Sequence, residues 1–167
     1  MNQAEFRDAF LAHKDVLFRF AYRMTGSEET AEDLVQEAFL VLWRRPDGYD
    51  SGRGTLRSFL LGITRNLALK RLRDQRPHEP LETETFVCLP FDLAGMRRDQ
   101  AVAQAVAALP ALQREVLVLA EYEELALAEI AAATGAELAA VKSRLFRARE
   151  NLRKMLAPLL ESRGALI

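Results

Sequence analysis

Apolar residues recur along most of this chain with the three-and-four spacing of a helix that buries one side. Phe6, Ala9, Phe10, Leu17, Ala21 and Met24 follow that repeat and predict a first helix over about 3–24. Thr25 and Gly26 break it. Ser27 is placed to cap a second helix, with Glu28 and Glu29 in its first turn and Ala31, Leu34, Val35, Ala38 and Leu42 on one face. Pro46 ends that helix, and residues 46–54, with one proline and three glycines, read as a loop. Thr55 can cap a third helix to about Arg73, with Leu56, Phe59, Leu60, Ile63 and Leu67 facing inward. Between 76 and 95 the repeat dissolves and three prolines cluster, so this stretch reads as a tether between two helical bodies. Helices are then expected over 97–108 and 111–121, divided at Leu109 and Pro110, followed by a tight helical unit over 127–157. No alternating stretch is long enough to predict a sheet. The fold class expected is all-α: two small helical domains, 1–76 and 97–167, joined by a flexible linker at 77–96.

The last unit carries the most specific local signal. A helix-turn-helix needs a small residue where its helices cross, a residue tolerant of left-handed backbone in the turn, and an apolar residue packing back from the second helix. Ala131, Gly135 and Val141 meet those needs at the right spacing. The second helix would then expose Lys142, Ser143, Arg144, Arg147 and Arg149, donors suited to phosphates and base edges in a major groove. The competing reading is an alanine-rich helical hairpin with a solvated basic face.

Charge sharpens this picture only when it is resolved along the chain. The net charge is −1, yet 28–37 holds five acids and no base, and 56–76 holds six bases against Asp74. Residues 115–137 then hold six acids and no base, and 139–154 six bases against Glu150. Such segregation suits a protein that meets both a protein partner and DNA phosphates. The third helix is read either as a solvated charged face or as a platform for a separated DNA strand, with Asn66, Tyr49 and Phe59 near its arginines. The acids of the second helix either complement its positive N-terminus or form a docking face; Gln36 and Glu37 lie too deep for the first.

Composition excludes much else. One cysteine, Cys88, and two histidines, His13 and His78, leave no disulfide framework and little for a metal site or for acid-base and nucleophilic catalysis. No cofactor, no metal and no enzymatic activity are expected. Cys88 reads as an ordinary thiol, and Trp43 as a core residue. No stretch approaches the roughly 20 apolar residues that span a bilayer, and the N-terminus does not read as a signal peptide, so a cytoplasmic protein is expected.

The run YRMTGSEETAEDLVQEAFL at 22–40, with Trp43-Arg44 and Tyr49-Asp50 beyond it, resembles region 2 of the extracytoplasmic-function sigma factors. Leu109-Pro110, QREVL at 113–117, Glu129-Ile130-Ala131 and VKSRLFRAR at 141–149 resemble their region 4. The resemblance covers nearly the whole chain in the right order. It implies a subunit that binds core RNA polymerase and directs transcription initiation at promoters, under the control of an anti-sigma factor. Asp33, Gln36 and Glu37 would then bind the clamp coiled coil of the polymerase largest subunit. Tyr49, Arg57, Phe59, Arg65, Asn66 and Lys70 would handle the −10 element, and the loop at 46–54 with the Asn66 helix would capture flipped bases. Lys142, Ser143, Arg144, Arg147 and Arg149 would read the −35 element. The chain departs from the family pattern at Phe59, where Trp is common, and at Lys70, where Asp is frequent. It departs again at Ala139-Ala140, where Gly-Thr usually opens the recognition helix; that change removes a hydroxyl able to cap the helix or touch a phosphate.

Overall fold

The first three helices of this protein begin at short polar side chains that satisfy the free N–H groups of a first turn. In the computed structural model, which describes residues 1–77, 93 and 95–164, α1 spans Gln3–Thr25. The Asn2 side chain accepts from the Glu5 N–H at 2.8 Å, and the Glu5 carboxylate accepts from the Asn2 N–H at 2.9 Å, a reciprocal capping box. Gly26 closes the helix in left-handed backbone at φ 72°, its N–H donating to the Tyr22 carbonyl. Ser27 caps α2 (Glu28–Arg44), and Thr55 caps α3 (Leu56–Gln75), both as the sequence predicts. The intervening loop contains one short 3₁₀ turn, Pro46–Gly48.

These three helices bury Leu17, Phe20, Ala21 and Met24 of α1 against Leu34, Ala38 and Leu42 of α2 and Leu60 and Leu61 of α3. Trp43 departs from expectation. It is half exposed, and its ring meets Phe6 edge-on at 5.0 Å, so it roofs the core from outside, beside Leu42 at the end of the buried stripe.

The rest of the chain forms α4 (Arg98–Ala108), α5 (Ala111–Leu117), a single π turn (Val118–Tyr122), α6 (Leu127–Thr134) and α7 (Leu138–Gly164). The helix expected over 111–121 therefore changes pitch at Val118. There the Glu123 N–H reaches back to the Val118 carbonyl at 3.1 Å, which swings Glu121 and Glu123 onto different sides. No strand occurs among the described residues.

The two groups of helices are in contact. α6 packs on α3, and α4 and α5 touch α1, so buried apolar side chains run without interruption from one group into the other. Most of the tether expected at 77–96, including His78 and Cys88, lies outside the described residues.

Candidate nucleic-acid and polymerase interface

The helix-turn-helix forms as its spacing requires. Gly135 takes φ 73° and ends α6 by donating to the Ala131 carbonyl at 2.9 Å, while Val141 is fully buried behind it. α7 then presents Lys142, Ser143, Arg147 and Arg149 to solvent. Arg144 is only partly exposed and sits near enough to Glu115 for its charge to act on that carboxyl group. Arg149 is held by Glu121 in a side-chain ion pair at 2.5 Å. Phe146, which the sequence reading did not single out, is the most exposed large apolar side chain among those described, at 65%, and stands between these cations.

Ala139 and Ala140 are not cap residues. The Glu137 carbonyl accepts the first α7 bond, from the Val141 N–H at 3.0 Å, so position 140 lies inside the first turn. A hydroxyl there could meet a phosphate but not cap the helix.

On α2, Asp33, Gln36 and Glu37 are all exposed on one face, with Leu40 one turn on and 47% exposed. The ridge is thus acidic and exposed beside an open leucine.

The third expected set lies at the loop and α3. Tyr49 donates its hydroxyl to the Gly54 carbonyl at 3.2 Å and packs against Phe59 with ring centroids 5.5 Å apart. The Asp50 carboxylate accepts from the Gly52 N–H at 2.9 Å, fixing the loop beneath. Asn66 and Lys70 are exposed on the adjoining surface, and Arg65 donates to the Asn66 side-chain oxygen at 3.1 Å. A pocket of about 440 Å³ opens among Tyr49, Phe59, Ile63 and Asn66, large enough for a planar ring. Its far wall is α6, through Glu129, Ala132 and Ala133.

Two arginines of this set point at the other half of the molecule. Arg65 grips Glu115 with two parallel bonds of 2.6 and 2.9 Å. Arg57 donates to both the Glu123 carboxylate and its backbone carbonyl at 3.0 Å, with Arg19 3.7 Å from the same carboxylate. Ser58 donates to Glu129 at 3.1 Å, and the other oxygen of Glu129 accepts from the Ala126 N–H at the start of α6. Glu115 and Glu123 are buried, and one oxygen of Glu123 has no hydrogen-bond partner. Burial pushes the Glu115 carboxyl above its ordinary range, against the opposing pull of Arg65 and Arg144. His13, near Arg57, is pushed down by burial and then by that arginine's charge.

The motif residues at 113–115 prove to be joints of the frame. Gln113 accepts from the buried Asn151 amide at 2.7 Å, and Arg114 donates to the Leu109 carbonyl at 2.9 Å and to the Met24 carbonyl of α1. Reading by spacing could not find these roles, since each partner lies on a distant element. Among the described residues no helix is long and apolar enough to cross a membrane, and no cluster of potential metal ligands occurs.

Residues 9–78 match the Sigma-70 region 2 family and residues 99–152 match Sigma-70, region 4. The chain is 31% identical to the ECF RNA polymerase sigma factor SigW of Bacillus subtilis, over 95% of this chain and 92% of that one. It is 34% identical to the ECF RNA polymerase sigma factor SigE of Mycolicibacterium smegmatis, over 87% of this chain and 59% of that longer protein. Its fold superposes on the sigma factor RpoE of Bartonella quintana, solved in complex with the anti-sigma factor NepR. That match has a TM-score of 0.72 and 26% identity, and covers 92% of this chain and 97% of that one. It also superposes on CnrH, solved with the cytosolic domain of CnrY, with a TM-score of 0.68 and 26% identity over 94% and 90% of the two chains. With both regions matched in order and a relative aligned along nearly its whole length, the chain belongs to the ECF sigma factors of bacterial RNA polymerase.

Proposed function

We propose that the work of this sigma factor, binding core RNA polymerase and directing it to promoters, is divided over three faces. The first is the acidic ridge of α2, where Asp33, Gln36 and Glu37 would dock on the clamp coiled coil of the polymerase largest subunit. The second is α3 with the loop before it. Arg57, Arg65 and Lys70 would hold the backbone of the −10 strand, Tyr49 and Phe59 would stack bases, and Asn66 would bond a flipped base in the pocket. The third is α7, where Lys142, Ser143, Arg144, Arg147 and Arg149 would enter the major groove of the −35 element. Residues 1–76 and 97–167 would be the two working domains, with 77–96 as the tether.

The observation that carries this division is charge separated by face. Exposed acids sit together on α2, while exposed cations sit on α7 around a helix-turn-helix whose Gly135 and Val141 have the required geometry. The protein would work in the cytoplasm. Like the sigma factor RpoE of Bartonella quintana, it would take an anti-sigma factor as regulator.

The test is transcription of genomic DNA by core polymerase of the same host, with the purified protein added and the 5′ ends sequenced. Discrete starts sharing upstream −10 and −35 sequences are the expected result. Asp33→Arg with Glu37→Arg should remove co-elution with polymerase. Arg144→Ala with Arg147→Ala should keep co-elution and lose the discrete starts. A protein that does not bind the polymerase would end this reading.

A further inference from the structure

The faces on α2, α3 and α7 leave the C-terminal end of α1 without a role. Where it meets the start of α4 and the π turn, a cleft of about 970 Å³ opens, more than twice the volume of the pocket at Asn66. Arg23, Arg97 and Arg98 line it against a single carboxylate, Asp99. Tyr22 and Tyr122 line it as well, 44% and 38% exposed. On the α4 side the lining includes Val102, Ala103 and Ala107, side chains small enough to leave the space open.

We propose that this cleft is a binding site for a nucleoside di- or triphosphate. Guanidinium groups meet phosphate oxygens with two parallel bonds, and three of them around one cleft repel one another until an anion joins them. Arg97 meets Asp99 at 3.4 Å, but the pair is exposed, so a multiply charged phosphate displaces it at little cost.

The two rings make an aromatic anion the fitting occupant. Tyr22 lies parallel to Phe18 with centroids 6.2 Å apart, and the Arg23 guanidinium stands 4.0 Å from the centre of the Tyr122 ring. Each ring is thus steadied by one neighbour and still offers surface to the cleft, where a base of any kind can stack. Asp99 and Gln104 also reach the cleft, with oxygens and an amide suited to ribose hydroxyls or a base edge. The volume lies at the upper end of the range for small-molecule sites, which suits a nucleotide better than a lone phosphate. The walls are fixed: Arg114 of α5 donates to the Met24 carbonyl of α1, and Ala101, Ala105 and Val106 anchor α4 in the core. An occupant touches both groups of helices and therefore stabilises the folded chain by mass action.

The experiment is equilibrium binding to the full chain of GTP and ATP, with guanosine and inorganic tripolyphosphate as partial probes. At least one nucleotide should bind and raise the thermal midpoint, and loss of either the base or the phosphates should weaken binding about tenfold. Arg97→Ala with Arg98→Ala should weaken nucleotide binding by about tenfold or more. Arg97 makes no side-chain cap bond to α4, so the helix keeps its start in that variant. Ala107→Phe, which fills the cleft from an exposed position of α4, should abolish binding. Both variants should still co-elute with core polymerase, since neither touches the α2 ridge. Lys142→Ala with Arg147→Ala on α7 should leave nucleotide binding unchanged. If neither nucleotide binds, the site is overturned. A loss that follows the α7 pair and not the Arg97 pair overturns it equally, because the anion would then sit on the DNA-reading helix. Tripolyphosphate bound as tightly as the nucleotides would leave the tyrosines unused and overturn the assignment to this ligand class.

Discussion

Two basic faces with nearly the same composition are used differently. The cations of α7 stand on a long helix where Lys142, Ser143 and Arg147, proposed to meet DNA, reach solvent. Two cations of α3, Arg57 and Arg65, are drawn toward the other half, with the Arg65 side chain 15% exposed against a carboxylate that is fully buried. Charge count alone does not separate the two. What separates them is how deeply the acidic partners lie: Glu115 and Glu123, which take Arg65 and Arg57 of α3, are buried, whereas Glu121, which takes Arg149 of α7, is exposed. A basic helix is thus available or spent according to its partners within the chain, not according to its own sequence.

The sharpest way to break the comparison is to delete one arginine from each face. Arg65→Ala leaves Glu115 buried and unpaired, and removing one partner of a buried pair costs about 3 kcal/mol or more. Urea unfolding should show that loss. Replacing both members, as Arg65→Met with Glu115→Leu, should restore most of it, because the apolar pair carries no desolvation cost. Arg147→Ala, by contrast, should leave stability within about 0.5 kcal/mol. It should instead weaken −35 duplex binding by about tenfold, as loss of one contact to DNA does. Equal stability losses at the two positions would refute the distinction.

Acidity sharpens the comparison further, with a smaller effect. Glu115 has a raised pKa, so the native form holds its proton more tightly than the unfolded chain, whose glutamate titrates near 4.5. Its contribution is fully present below 4.5 and is lost as pH rises through the native value. His13 runs the other way. Its pKa is lowered from 6.5, so its contribution is present above 6.5 and is lost as pH falls through the native value. The two partly cancel in the unmodified protein and separate in variants. Relative to the unmodified protein, His13→Asn should make stability fall more steeply as pH rises above 4.5, and Glu115→Gln should make it rise more steeply with pH toward 6.5. Neither slope can exceed about 1.4 kcal/mol per pH unit for one proton. Variants that leave the profile unchanged would show that these two groups do not set it.

Much of this molecule is written locally and can be read that way. Ser27 and Thr55 cap the helices they precede, and Ala131, Gly135 and Val141 meet steric demands set by residues only a few positions away. The α2 ridge is likewise legible, because Asp33, Gln36 and Glu37 lie opposite a regular apolar stripe. The pairings between the halves could not be read in this way. Arg65 and Glu115 are 50 residues apart, and no periodicity says which acidic block meets which basic one. The blocks at 115–137 and 28–37 look alike in composition, yet the first supplies interior partners and the second stays open. Trp43 shows the same limit: its place in α2 puts it near the core, but how far its ring is covered depends on Phe6 of α1, 37 positions away.

The smallest effect concerns the start of α7, where family pattern and geometry disagree about one hydroxyl. Read from the family pattern, Ala140→Thr would restore a cap and stabilise the helix. The structure puts position 140 inside the first turn, with the Glu137 carbonyl taking the first helical bond. Threonine there gains no cap and loses up to about 0.7 kcal/mol of helix propensity relative to alanine. A cap belongs at 137, where glutamate is a poor one; Glu137→Ser should add about 0.5–1 kcal/mol by offering an oxygen to the free N–H groups of the first turn. The two substitutions should therefore move the thermal midpoint in opposite directions. Any gain from Ala140→Thr should appear only in duplex binding, as a phosphate contact that weakens with added salt. A raised midpoint in the Ala140→Thr protein would mean that α7 begins later than the Val141–Glu137 bond indicates, and that the alanine pair had cost this chain a cap after all.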